Sequence, residues 1–299
     1  MNLKDLEYFQ QVVTDRNFTE TARAYKVSQP TVTYAIKRLE EELGTKLIIR
    51  NQAHHSLIIT EAGKILSAHI KKMMKELNIA RTEIARLTDK KIKCGLPPII
   101  GNYYFPKLSV RLLEQGFMKS IDIISGGSRD LYQLLKTGQI DTAILGSTQA
   151  ISDKELTSRL LVEKPFMIVV SPNHPLAKRE SIAFSELKNE PFVLFNEHFV
   201  HSSGFHTLIE QTDFEPNIIY ENSDLNILKG MIHEQIGIGF LVELAVHAND
   251  DLVSIPISDL EQPTFMISVV TRKQVTQSDY QREIVEFITS STDNEIKEK

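Results

Sequence analysis

The stretch SQPTVTYAIKRLEEELG, residues 28–44, holds the densest set of side chains able to make directed contacts. Val32, Ile36, Leu39 and Leu43 recur at the spacing that aligns them on one face of a 3.6-residue helix, and that face must be buried. Pro30, Thr33, Tyr34, Lys37 and Arg38 lie opposite, with Gln29 at the flank. They offer donors, acceptors, a flat ring and two cations, which is the equipment of recognition rather than of bond breaking. Two further loops suit an anion. ISGGSRD, residues 124–130, joins Gly126, Gly127 and Ser128 to a helix start, where close backbone approach and free N–H groups favour negative charge. The plain alternative is a turn with Ser128 as N-cap. HFVHSSGF, residues 198–205, puts Ser202 and Ser203 at another helix start with His201 beside them. Both loops favour a small carboxylate.

Marks of catalysis are missing. No GxxxxGK, HExxH or GxSxG occurs, GGSRD does not match a nucleophile elbow, and GIGF at 237–240 is too short for a dinucleotide site. No enzyme activity, cofactor or metal is therefore expected. The single cysteine, Cys94, has no partner for a disulfide or a cysteine zinc site and reads as a small buried residue in a strand.

The elements that must position these residues follow from periodicity. Residues 3–13 carry Leu3, Leu6, Phe9, Val12 and Val13 at helical spacing, and a second short helix runs from Thr19 to Ala24. Tyr25 to Val27 form a tight connection to Ser28, a good N-cap, and Pro30 costs nothing in a first turn. Two short helices with a polar outer face on the second make a helix-turn-helix. TKLIIRNQAHHSLIIT, residues 45–60, reads as two β runs around a polar turn, a wing. Leu66, Ile70, Met73, Leu77, Ala80, Ile84 and Leu87 then alternate steps of four and three, an a/d seam on a long helix that asks for a second helix. From about residue 91, apolar runs such as IDIIS, DTAIL and PFVLF alternate with helical stretches, which predicts a mostly parallel sheet covered on both faces. Ligands in such folds bind beyond the carboxyl ends of the strands.

A net charge of −5 argues against a surface that grips polyanions everywhere, and cations and acids nearly balance in the first fifty residues, so any nucleic-acid site rests on geometry. The N-terminus runs straight into an amphipathic pattern without an apolar leader, and no apolar run reaches membrane-span length, so a cytoplasmic protein without a membrane partner is expected.

FTETARAYKVSQPTVTYAIKRLEEELGTKLIIR followed by TEAG resembles the head of LysR-type transcriptional regulators, and SPNHPLAKRE and GMIHEQIGIGFLVE are similar to stretches of their effector domain. The resemblance runs from Met1 to about Thr289. It implies an α/β architecture: a winged helix-turn-helix over 1–60, a linker and dimerisation helix over 61–90, and an effector domain over 91–299 resembling periplasmic binding proteins. Of its two lobes, the first takes about 91–162 and 269–299 and the second 163–268. It further implies a bacterial activator or repressor acting on double-stranded promoter DNA under a small-molecule effector, in homodimers that assemble to a homotetramer, with RNA polymerase as a partner.

By the same resemblance Gln29, Pro30, Thr31, Thr33, Tyr34, Lys37, Arg38, Arg50 and His54 contact DNA, through base edges for Gln29, Thr33 and Tyr34 and through phosphate for the cations. Leu66, Ile70, Met73, Leu77 and Ile84 form the dimer seam, and Pro98, Ile99, Gly127, Ser128, His201, Ser202 and Ser203 meet the effector. Three departures mark this chain. Tyr34 stands where a basic or amide residue is common, His54 and His55 replace arginines in the wing, and LPPIIG replaces a loop that often offers a serine or threonine. YAIKRLE with LIIR is also similar to regulators of malolactic genes in lactic acid bacteria, which brings malate forward as effector. A non-carboxylate effector, or a small-molecule binding protein that does not regulate, are the alternatives.

Overall fold

A computed structural model describes residues 1–51, 56–85, 91–259, 261–273 and 278–296, the side chains of 50, 51, 56 and 291–296 excepted. It divides into two compact units, Met1–Ile84 and Ala85–Lys299.

In the first unit, α1 (Leu3–Asp15) starts under Asn2, whose side chain accepts the Asp5 N–H, and α2 (Phe18–Ala24) starts under Asn17, which accepts from Thr19 and Glu20. The third helix, α3 (Gln29–Leu43), is capped by Ser28, which accepts the Thr31 N–H, and ends at Gly44, whose φ of 65° suits a residue without a Cβ. Phe9, Val12, Val32, Ala35 and Leu39 are fully buried between these helices. Leu43, expected at the end of the buried stripe, is 42% exposed because the helix runs past the core. Glu40 is buried in its stead, accepting the Leu47 N–H at 2.9 Å and the Ile48 N–H at 3.3 Å, with the Lys46 ammonium at 2.7 Å. Strands β1 (Ile48–Asn51) and β2 (Ser56–Ile59) pair antiparallel with Ile48 opposite Ile59, forming the wing.

The long helix α4 (Glu61–Ala85) begins under Thr60, whose hydroxyl accepts the Gly63 N–H at 3.0 Å. Its first half belongs to the head. Leu66, Ile70 and Met74 pack on the head core, and Ile70 is 1% exposed, so this seam position is already covered by its own chain. Met73 and Ile84 are exposed and Leu77 is half-buried, while Leu87 lies outside the described residues.

In the second unit, β3 (Ile92–Leu96), α5 (Pro98–Glu114), β4 (Ile121–Ser125), α6 (Ser128–Lys136) and β5 (Thr142–Ser147) build the first lobe. Strand β6 (Leu156–Val170) leads to the second, made of β7 (Pro191–Phe195), α7 (Val200–Ile209), β8 (Asn217–Asn222), α8 (Leu225–His233), β9 (Ile238–Val242) and β10 (Val253–Pro256). Strand β11 (Thr264–Arg272) returns to the first lobe, followed by α9 (Asp279–Ile296). The order is β4-β3-β5-β11-β6-β9-β7-β8, with β10 on β6. Pairing is parallel within each lobe, β3 with β4 and β5, and β7 with β8 and β9. Around β6 and β11 it is antiparallel, because these strands pass between the lobes in opposite senses, so the sheet is mixed rather than mostly parallel. Cys94 is fully buried in β3 as expected, and burial, with Asp141 nearby, pushes its thiol up to about 12, which suppresses thiolate chemistry.

Gly63 permits the closest packing in the head: a Cβ there would sit 2.3 Å from the Leu47 carbonyl oxygen. Gly63→Ala should destabilise the protein by about 1–3 kcal/mol, a typical overpacking cost. Scanning calorimetry reads it, and an unchanged melting profile would show that α4 moves freely away from Leu47.

Candidate DNA interface and effector cleft

On α3, Pro30, Thr31, Tyr34, Lys37 and Arg38 are exposed, and Tyr34 most clearly so at 62%. Gln29 and Thr33 are half-buried and bonded to each other, the Gln29 amide donating to the Thr33 hydroxyl at 2.7 Å. The bond orients both side chains and leaves the Gln29 carbonyl, its second amide hydrogen and the Thr33 hydroxyl hydrogen for other partners. Arg38 is held from inside the head. Its Nε and Nη2 donate to the two oxygens of Asp5 at 3.0 and 2.6 Å, and this bond raises its proton affinity further. Asp5 is buried while the guanidinium is half exposed, so the fork is fixed in orientation with its outer edge outward. Lys37 pairs only loosely with Glu41, at 3.5 Å on the surface, a contact that phosphate would displace readily. Arg50 lies in β1 opposite Leu57; its side chain and His54 are outside the described residues.

The second unit has two sizeable cavities between its lobes. One, of about 380 Å³, is bordered by Ser128, Arg129, Tyr132, Ser147, Thr148, His198 and Ser203, and no acidic side chain among the described residues lines it. The other, of about 590 Å³, is bordered by Pro98, Ile99, Asn102, Asn226, Lys229 and Asp250. There the Lys229 ammonium meets Asp250 at 2.6 Å, so its charges cancel. A narrow slot of about 10 Å³ shares Ser128, Phe199 and Val200 with the first cavity and Pro98 and Ile99 with the second. The anion-friendly cavity is thus the smaller one.

Several loop residues are placed differently from the expectation. Gly127, not Ser128, is the cap residue of α6, and a Cβ on it would come 3.0 Å from the His198 carbonyl oxygen of the other lobe. Gly127 is where the lobes approach. Ser128 is 8% exposed and its hydroxyl accepts the Gly146 N–H at 3.0 Å, tying α6 to β5. Ser203 reaches the cavity, whereas Ser202 faces a separate crevice and its hydroxyl lies 3.4 Å from His206 Nδ1. His201 is 3% exposed among the rings of Phe166, Phe195 and Phe265, and its Nε2 accepts the Val242 N–H at 3.3 Å. Burial pushes its pKa down to about 3, so the ring is neutral.

Sequence reasoning passed over Arg129, Tyr132, Ser147 and the segment that walls the cavity. Asp153 accepts from the Tyr132 hydroxyl and from the Lys136 ammonium at 2.9 Å, and those bonds, Tyr132 foremost, hold its carboxyl well below the usual range. The clamp fixes Ile151 and Ser152 against α6. Arg129 was legible within GGSRD; Asp153 carried no local signal.

A winged helix-turn-helix joined to a two-lobed α/β unit with a polar cleft defines a transcriptional regulator with an effector-binding domain. Residues 3–64 match the bacterial regulatory helix-turn-helix proteins of the lysR family, and residues 85–293 match the LysR substrate binding domain. The chain belongs to the LysR family. The malolactic fermentation system transcriptional activator of Lactococcus lactis subsp. lactis (strain IL1403) is 32% identical over 96% of this chain and 98% of that protein. A full-length OxyR variant from Pseudomonas aeruginosa matches 98% of this chain and 99% of its own, at 22% identity and a TM-score of 0.57. The effector binding domain of QuiR in complex with shikimate covers 68% of this chain and 97% of its own, at 18% identity and a TM-score of 0.60. At these identities the two structures share the fold. No helix among the described residues is long and apolar enough to cross a membrane.

Tyr34→Ala should weaken binding to a specific operator by about 1–3 kcal/mol, the range of a good base contact, and leave binding to random duplex nearly unchanged. Equal losses on both, measured by gel shift, would reduce Tyr34 to a backbone contact. The neutral His201 predicts a second effect. Its folded pKa lies below the ordinary value of 6.5, so its contribution is complete above about pH 6.5 and is lost as pH falls towards 3. Between pH 6.5 and 5 the wild type should lose up to about 1.4 kcal/mol of stability per pH unit from this group. Urea melts of His201→Gln over the same range should show a shallower slope.

Proposed function

We propose that this regulator binds promoter DNA through α3 and the wing, and that a small carboxylate, with malate the leading candidate, seats in the 380 Å³ cavity and alters promoter occupancy. The observation that carries the effector reading is the charge pattern of the cleft. The smaller cavity combines Arg129, the amino end of α6 and the hydroxyls of Ser147 and Ser203 with no lining acid among the described residues, while the larger one is neutralised by Lys229 and Asp250. Malate is favoured by the 32% identity to an activator of the malolactic fermentation system. A carboxylate gripped from both lobes favours the closed arrangement by the difference in its affinity for the two states, and about 1–3 kcal/mol is typical of such coupling. That changes occupancy several-fold, and RNA polymerase reads the result in the cytoplasm.

A second copy completes the assembly. Met73, Leu77 and Ile84 remain available on α4 beyond the part covered by the head. Strand β8, at the edge of the sheet among the described residues, exposes Ile218, Ile219 and Tyr220, and a further copy would cover it in a homotetramer.

Titration calorimetry with L-malate should show binding to the wild type and at least about tenfold weaker binding to Arg129→Gln, the loss of one charge-assisted bond. Footprinting of both proteins without malate should agree, since Arg129 lies in the second unit. No malate binding by the wild type, with operator binding intact, would remove malate as effector and leave the regulator.

A further inference from the structure

Two buried side-chain atoms bordering the cleft, Ser147 Oγ and His201 Nδ1, have no hydrogen-bond partner among the described residues. Unmade buried hydrogen bonds are expensive, and in a ligand-binding protein they mark where a ligand or water completes the set. Ser147 belongs to the cavity assigned above to the carboxylate. His201 poses a separate question. Its Nε2 is occupied as an acceptor from the Val242 N–H, so the neutral ring carries its proton on Nδ1 and has one donor to place.

His201 borders two narrow spaces of about 10 Å³ each, the crevice beside Ser202 and the slot beside the cavity, and the slot admits a single water or a single ligand oxygen. Pro97, Ile100, Val200 and Phe265 make its walls apolar, and among the described residues Ser128 and His201 supply the only polar side chains on them. A carboxylate oxygen pushed into this slot would lose its hydration and meet no cation. A hydroxyl or carbonyl oxygen loses far less and accepts from a neutral ring. Ser128, Phe199 and Val200 border both the slot and the cavity, so the two adjoin.

We infer that the effector is a hydroxy or keto acid whose neutral oxygen accepts a hydrogen bond from His201 in the slot while its carboxylate stays beside Arg129. His201 is then a specificity-determining residue. This rests on the carboxylate reading of the cavity and narrows it, separating acids that share a charge and a carbon skeleton but differ in one oxygen.

Calorimetry on the full-length protein with matched probes tests it: L-malate and oxaloacetate against succinate, and lactate and pyruvate against propionate. The oxygenated member of each set that binds should bind at least about tenfold more tightly, the loss expected when one buried donor goes unpaired. His201→Gln keeps an acceptor in reach of Val242 but vacates the Nδ1 position, and should lose the preference while binding the unsubstituted acid as the wild type does. His201→Asn restores a donor near Nδ1 and should recover part of the preference, which a role in packing alone would not produce. Circular dichroism monitors folding, and the wild-type comparison stands even where a variant fails to fold. Equal affinities within each set would put a water in the slot and overturn the inference with the carboxylate reading intact. So would an oxygen preference that survives in folded His201→Gln. Failure of every acid to bind the wild type would overturn both.

Discussion

Strands β6 and β11 run antiparallel from Thr264 opposite Pro165 to Arg272 opposite Leu156, and every lobe-to-lobe distance in the second unit depends on that ladder. Its register shifts between Ile267 and Ser268, near the passage from one lobe to the other. A continuous hydrogen-bonded ribbon resists twisting far more than a pair of loops would, so the lobes belong to one sheet with a local irregularity. The buried core follows the same path, reaching from Cys94, Leu96 and Ile144 in the first lobe to Phe192, Phe205 and Phe240 in the second. The closure proposed above would therefore work against a small number of deformable pairs rather than a free hinge.

The chemistry of the cleft is a consequence of where strands end. Leu96, Ser125 and Ser147 terminate parallel strands of the first lobe, and the residues after them turn into α5, α6 and the wall segment clamped by Asp153. Backbone N–H groups left unpaired at those starts supply positive potential without adding a charged side chain. In the effector site proposed above, single groups lie over that background: Arg129 for charge and the serine hydroxyls for direction.

Much of this was legible in the sequence. The buried face of α3, its cap at Ser28, the wing pair and the runs IDIIS, PFVLF and FMISVVT all declared themselves, because patterning and capping are local. Helix α5 did not, since Pro98, Gly101 and Pro106 look like breakers; Pro98 sits in the first turn, where it costs nothing, and buried Tyr104, Leu108 and Leu112 hold the rest. The apolar period of α4 was legible, but not that Ile70 packs on the head, because period alone does not tell which body covers a position. Likewise the neutral, enclosed state of His201 depends on Phe166 and Phe265, distant in the chain, as well as on nearby Phe195, and the Asp153 clamp on a partner two elements away. Side-chain type predicts function poorly when the environment that sets its protonation is assembled by tertiary contacts.

Glu40, reaching from α3 to the Leu47 and Ile48 amides, joins the helix proposed to meet the major groove to the strand that begins the wing. Its carboxylate is buried and its accepting capacity largely spent, so it acts as a fixed strut and not as a surface charge. The head is in this respect a caliper with a set jaw. The strut holds the start of β1 at one separation from α3, and under the proposed DNA contact a duplex whose grooves are spaced differently would itself be bent or underwound to fit. Under that proposal, part of the discrimination between promoters would be transferred from contacts with bases to the stiffness of the DNA.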